Sequence, residues 1–191
     1  MYAASPDPYC YRGTTVLKNI PGFRDPDALE RFETAITAQR FDEPLPSGQL
    51  GMRHFQAVHR HLFQDVYRWA GRLRSIRITK GNSTFCYPEH IKSELQRVFA
   101  ELRNANYLRG LEADAFAPAV AHVLAELNAI HAFRDGNGRA QLAFIMLLAA
   151  RAGHPLVLAR LEPEGFLAAM IASFHGDERP LARQLSDLVR P

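Results

Sequence analysis

Two long, almost wholly apolar segments dominate the middle of this 191-residue chain, Ala113 to Ile130 and Gly138 to Ala152, with a short polar stretch between them. Segments this long read as helices rather than strands. A helix that is apolar nearly all round is a buried one. The pair therefore predicts two core helices joined by a loop, with the rest of the chain packed around them. Gly153-His-Pro155 supplies the stop for the second.

The flanking sequence supplies shorter helices. Asp25-Pro26 opens one that runs to about Arg40, with Leu29, Phe32 and Ile36 at helical spacing and Pro26 suited to the first turn. Leu50 to about Phe63 carries Met52, Phe55, Val58 and Leu62 on one face, and Pro88 starts another helix that reaches about Asn104. Glu162 to Phe174 and Pro180 to Val189 read as two closing helices. Between Gly71 and Phe85 the pattern changes. Leu73, Ile76, Ile78 and Phe85 predict two short strands, with Gly81-Asn82 as their turn. Residues 1–24 form an irregular N-terminal arm, and Pro44 to Gly48 a loop. With no repeat and no linker in view, residues 1–191 read as a single domain, mainly α: a helical bundle with a small β-hairpin.

Composition narrows the function classes. Hydrophobic residues make up 47%, enough to fill a core. The balance of 23 Lys+Arg against 20 Asp+Glu gives only +3, and no basic run is interleaved with aromatics. That argues against nucleic acid as a partner and leaves an acidic protein surface open. Cys10 and Cys86 leave a disulfide open, and read first as reduced thiols of a cytoplasmic protein. No secretory leader is visible, and Leu142 to Ala150 is too short to span a bilayer, so no membrane role is expected. Export as an effector, by a route that needs no cleaved signal, stays open.

The loop between the two apolar helices, His131-Ala-Phe-Arg-Asp-Gly-Asn-Gly-Arg139, carries the chemistry. A turn entering a helix aims unpaired N–H groups and a positive dipole end at an anion. Gly136 and Gly138 let the backbone approach that anion closely. Arg139 can grip phosphate oxygens with its planar fork. Asp135 can hold Mg2+, and His131 can take a proton near neutral pH.

These residues resemble the signature of the Fic family, His-x-Phe-x-(Asp/Glu)-Gly-Asn-Gly-Arg-x-x-Arg. Asp7-Pro-Tyr, Gly13 to Asn19, His59 to Arg74 and Thr79 to Cys86 also look like segments of bacterial Fic proteins, the last being their flap hairpin. The resemblance implies a Fic-type fold and transfer of AMP from ATP to a Ser, Thr or Tyr hydroxyl of a target protein. It assigns His131 as general base, Asp135 to Mg2+ and Arg139 to the β-phosphate. Gly136, Asn137 and Gly138 become the anion hole, and Phe133 the anchor of the loop in the core. Ile78, Thr79, Lys80 and Gly81 become the flap that holds the target.

The chain departs from the signature twice. Ala132 stands where Pro is common, and Leu142 where the second Arg would reach the γ-phosphate. Leu142 favours a donor without a γ-phosphate, or a module that binds nucleotide or protein without turnover. The related Doc kinases carry Lys at the position of Gly138, which argues against that chemistry. No Ser/Thr-x-x-x-Glu-Gly/Asn inhibitory motif appears, since Arg160 precedes Glu164-Gly165, so the resemblance implies a separate antitoxin. Elsewhere, His54, His59 and His61 do not have the spacing of a zinc hydrolase and read as solvated or core-edge residues. Ser83 and Thr84 read as turn hydroxyls.

Overall fold

The computed structural model describes residues 7–81 and 83–189. Their α-helices are α1 (Pro26–Asp42), α2 (Met52–Phe63), α3 (Ile91–Asn104), α4 (Ala113–Ile130), α5 (Asn137–Ala152), α6 (Pro163–Phe174) and α7 (Arg179–Val189). Each lies within a few residues of the segment that the apolar spacing predicts. Asp25 caps α1 by accepting the Ala28 N–H at 2.7 Å, with Pro26 in the first turn. Gly153, at φ 94°, closes α5 in the left-handed conformation that favours glycine.

Helix α4 runs through the middle of the bundle and packs against α3, α5, α6 and α7, while α2 packs against α1, α3 and α5. The core between α2 and α5 is aromatic. Phe55, Phe63, Phe133 and Phe144 are fully buried there. The His59 imidazole is sandwiched in the same layer, 3.8 Å from the Phe133 ring centroid and 4.7 Å from that of Phe63. His59 is therefore a central core residue and not a solvated or core-edge one. Its ring is used at both nitrogens, bonding the Gly71 N–H at 2.9 Å and the Asp135 carbonyl at 3.0 Å. His54 is buried too, between the Leu50 N–H and the Pro46 carbonyl, whereas His61 sits at the core edge on the Arg40 carbonyl.

The hairpin is shorter than its apolar residues suggest. Strand β1 is Thr79–Lys80 and β2 is Ser83–Thr84, antiparallel, with Thr79 opposite Thr84. Asn82 of the expected turn lies outside the described residues. Ile78 and Phe85 add one further bond below the strands, the Phe85 N–H to the Ile78 carbonyl at 3.2 Å, and beyond it the backbone pairs elsewhere, so Leu73 and Ile76 are in no strand. The Arg74 N–H goes to the Ala132 carbonyl and the Cys86 N–H to the Ala129 carbonyl. The hairpin base is thus bonded to the end of α4. Ser83 and Thr84 form β2 instead of a turn.

Burial under the aromatic layer disfavours the charged His59 ring and lowers its pKa to about 4, with the nearby Arg139 charge adding to the effect. An unfolded imidazole takes its proton below about 6.5, so between that value and about 4 the unfolded state binds more protons. Stability should therefore fall as pH is lowered through this window. Urea unfolding measured across it should show that fall, with a shallower slope for His59→Gln. An unchanged slope in the variant would remove His59 from the acid sensitivity.

Candidate active site

Helix α4 ends at His131, which holds the left-handed conformation at φ 49° and ψ 61°. For a residue with a Cβ this costs about 1 kcal/mol, and the surroundings fix it. Phe85 from the hairpin stacks on the imidazole, with ring centroids 3.8 Å apart and planes within 15°. Arg74 holds the backbone. Its guanidinium is 2% exposed and donates to four carbonyls: His131 at 2.7 Å, Ile76 at 2.5 Å, Cys86 at 2.6 Å and Ile130 at 3.1 Å.

The loop is then clasped by Asn137. Its Oδ1 accepts the Phe133 N–H at 2.9 Å and its Nδ2 donates to the Phe133 carbonyl at 2.8 Å. That side chain is used up within the loop, so only the Asn137 backbone is left for an anion. Phe133 is the buried anchor that the sequence predicts. Gly136 has φ 74°, and a Cβ there would lie 2.2 Å from the Phe63 ring, so no other residue fits without rearrangement. Ala140 makes the first α5 bond, back to Gly136, which leaves the N–H groups of Asn137, Gly138 and Arg139 at an open helix start. Asp135 accepts the Gly136 N–H on Oδ1 at 2.7 Å, and its other oxygen is in no such bond.

His131, Asp135, Gly136, Asn137, Gly138 and Arg139 share one cavity of about 760 Å³, and Lys80, Gly81 and Phe85 of the hairpin close it from above. Leu142 faces the same space. The opposite wall is apolar and comes from α6, where Leu167 and Ile171 are 62% and 52% exposed. The flap residues divide. Lys80 and Gly81 reach the cavity, Thr79 points to solvent, and Ile78 is buried beneath the hairpin, where only its carbonyl is engaged, by the Phe85 N–H. Ile78 belongs to the core because hairpin alternation turns it inward.

Electrostatics keep His131 neutral. Burial lowers its pKa to about 3, the Lys80 and Arg74 charges act in the same direction, and the Asn128 carbonyl and Asp135 oppose them. Nδ1 is buried without a hydrogen bond of ordinary geometry. Arg139 is braced at the far end of the loop. It pairs with Glu33 of α1, donates to Thr37 Oγ1 at 3.0 Å and lies over the Phe63 ring at 4.6 Å. Glu33 also accepts the Tyr67 hydroxyl on its other oxygen. Two of the five Arg139 donors are used, leaving three for a ligand. A neighbouring cavity behind Arg139 is lined by Glu30, Glu33 and Asp42, and that acidic lining does not suit phosphate.

Residues 49–149 match the Fic/DOC family. The chain belongs to that family. It is 48% identical over 189 residues to a probable protein adenylyltransferase, y4lH, of Sinorhizobium fredii, covering 98% of both chains. It is 35% identical to the probable protein adenylyltransferase Fic of Escherichia coli, covering 96% of this chain and 92% of the relative. Among solved structures, BepC of Bartonella tribocorum with bound AMPPNP superposes at a TM-score of 0.85 and 28% identity, covering 96% of each chain. An N-terminal Fic domain of Bartonella quintana with bound ADP superposes at 0.87 and 28% identity, covering 96% of this chain and 94% of the other. Both are described as VirB-translocated effector proteins. No helix among the described residues of this Fic protein is long and apolar enough to cross a membrane.

Sequence reading found the loop but missed its supports: Arg74, Phe85, His59, and the Glu33–Thr37–Tyr67 group behind Arg139. We expect Arg74→Lys to loosen the hairpin, because one ammonium cannot serve four carbonyls set around a planar fork. Amide exchange at Phe85 and Cys86 should speed up by an amount equivalent to about 2 kcal/mol. Unchanged exchange there would show that Arg74 does not hold the hairpin.

Proposed function

We propose that this Fic protein is a protein adenylyltransferase that moves AMP from ATP onto a hydroxyl side chain of a target protein. The observation that carries the reading is a buried, neutral imidazole in one cavity with an open helix start, one free carboxylate oxygen and a braced guanidinium. His131 takes the hydroxyl proton, and the hydroxyl oxygen bonds to the α-phosphorus. The bond to the bridging oxygen breaks, and diphosphate leaves. The N–H groups of Asn137, Gly138 and Arg139 receive phosphate oxygens, and the Arg139 fork takes the β-phosphate. The apolar α6 wall receives the base.

Asp135 fits a Mg2+ site. It offers a single carboxylate oxygen beside the phosphate cradle, and Mg2+ completes its shell with phosphate and water rather than with a protein cage. A bound Mg2+ neutralises phosphate charge. The outer edge of β1 pairs with no other described strand, so an extended target segment can add to it near Lys80. A hydroxyl-bearing protein is the partner this reading requires, and a separate restraining protein is one it allows.

Incubation with Mg2+, ATP labelled on the α-phosphate and a bacterial lysate should label a protein band. His131→Ala should cut the labelling by about 10²–10⁴ while nucleotide binding persists. Near-normal labelling by this variant would take His131 out of the reaction.

Leu142 lines the cavity one helical turn after Arg139 and offers no hydrogen bond to a third phosphate. ATP and ADP should therefore bind this chain with similar affinity. Leu142→Arg should shift the preference toward ATP by up to about tenfold, near the lower end of a charged hydrogen bond. Calorimetric titration of both nucleotides decides the point, and a strong wild-type preference for ATP would count against it.

A further inference from the structure

A second concave surface shares no lining residue with the His131 cavity. Its volume is about 690 Å³, and its walls carry Arg53, Arg60, Arg68 and Arg72 with Gln56 and Gln64, and no Asp or Glu. Arg53, Gln56, Arg60 and Gln64 follow helical spacing along the outer face of α2 and just past its end. Arg68 and Arg72 come from the loop that folds back over it.

That loop is pressed onto α2 and cannot drift. Gly71 has φ 80°, and a Cβ there would lie 2.8 Å from the Gln56 carbonyl and 2.9 Å from the Arg60 Cβ. The Gly71 carbonyl accepts from Gln56 Nε2 at 3.0 Å, and its N–H donates to His59 at 2.9 Å. The backbone that carries the arginines is therefore preorganised.

Elsewhere Arg40, Arg97, Arg134, Arg139 and Arg179 each pair with a carboxylate. Among the described residues, none of the four cradle arginines has a hydrogen-bond or ion-pair partner for its guanidinium. Four like charges around one hollow repel each other, and an anion placed between them removes that cost. Guanidinium forks suit carboxylates, which they grip in pairs.

We propose that this cradle docks an acidic segment of a partner protein, an extended run supplying at least two carboxylates. A nucleic acid fits the surface less well. Single strands need exposed aromatic rings to stack their bases, and the aromatic residue at this surface, Tyr67, is 2% exposed with its hydroxyl committed to Glu33. Duplex binding needs basic residues spread along successive phosphates, whereas these arginines gather around one hollow.

The test uses fluorescence anisotropy with a labelled peptide of alternating Asp and Glu, and a labelled DNA duplex as the competing probe. Arg60→Glu/Arg68→Glu is compared with Arg103→Glu/Arg183→Glu, which changes net charge equally at exposed positions outside the cradle. The peptide should bind the wild type in a salt-dependent way. Its affinity should fall by about tenfold or more in the cradle variant, as for lost charge pairs, and by clearly less in the control. An equal or larger fall in the control, no peptide binding at low salt, or tighter binding of the duplex than of the peptide would each overturn the proposal. Thermal melts check folding, and Arg60→Gln/Arg68→Gln replaces the cradle variant if charge reversal unfolds it.

Discussion

A guanidinium with no carboxylate beside it holds the start of the His131 loop in place. Arg74 is buried, and burying an unpaired charge is costly. Its compensation is geometric. Two of its four carbonyls, those of Ile130 and His131, belong to the end of α4, where the helix dipole is negative. The other two, of Ile76 and Cys86, belong to the two arms of the hairpin base. One planar group therefore fixes the left-handed turn at His131 and the height of the hairpin above it. Phe85 can stack on the imidazole because Arg74 and the Cys86–Ala129 bond hold the strand ends in register with α4.

The other end of the loop is built by a different device. Asn137 satisfies the N–H and the carbonyl of Phe133, so the chain turns tightly without leaving buried backbone groups unpaired. Phe133 is held in turn by the His59 ring, whose Nε2 bonds the Asp135 carbonyl. The loop is thus stitched to α2 from below and to the hairpin from above. What stays free at its centre is a helix start with unpaired N–H groups, which is where an anion belongs.

The helices could be read from the sequence because apolar spacing, the start signal at Asp25-Pro26 and the stop signal at Gly153 agree with the packing. The loop was legible because its chemistry is concentrated in nine consecutive residues. The strands were read too long because Leu73 and Ile76 look like sheet residues, yet the Ile76 carbonyl is taken by the Arg74 guanidinium and the Arg74 N–H by the Ala132 carbonyl. Ile78, read as part of the target-holding flap, has its side chain buried under the hairpin. Arg74 and Glu33 were invisible as site residues. A lone arginine or glutamate reads as surface charge, and only the fold brings one beneath His131 and the other beside Arg139. His59 was undervalued because a histidine near other polar residues suggests solvent, and its two backbone partners lie 12 and 76 positions away.

The electrostatics of His131 set a condition on any proton transfer it makes. An imidazole with a pKa near 3 is a weak base, and general base catalysis is most effective when the pKa lies near the working pH. Burial is the largest cause of the lowering, followed by the Lys80 and Arg74 charges. Arg74 is fixed by its carbonyls and cannot withdraw. Lys80 is exposed at the hairpin edge and can turn toward an anion. A polyphosphate seated on the α5 start would place negative charge in the same cavity, opposing both cations and favouring a protonated ring. Substrate charge would then raise the basicity of the residue proposed to accept the proton. The cations that lower the His131 pKa are thus also the groups that an anionic substrate would offset.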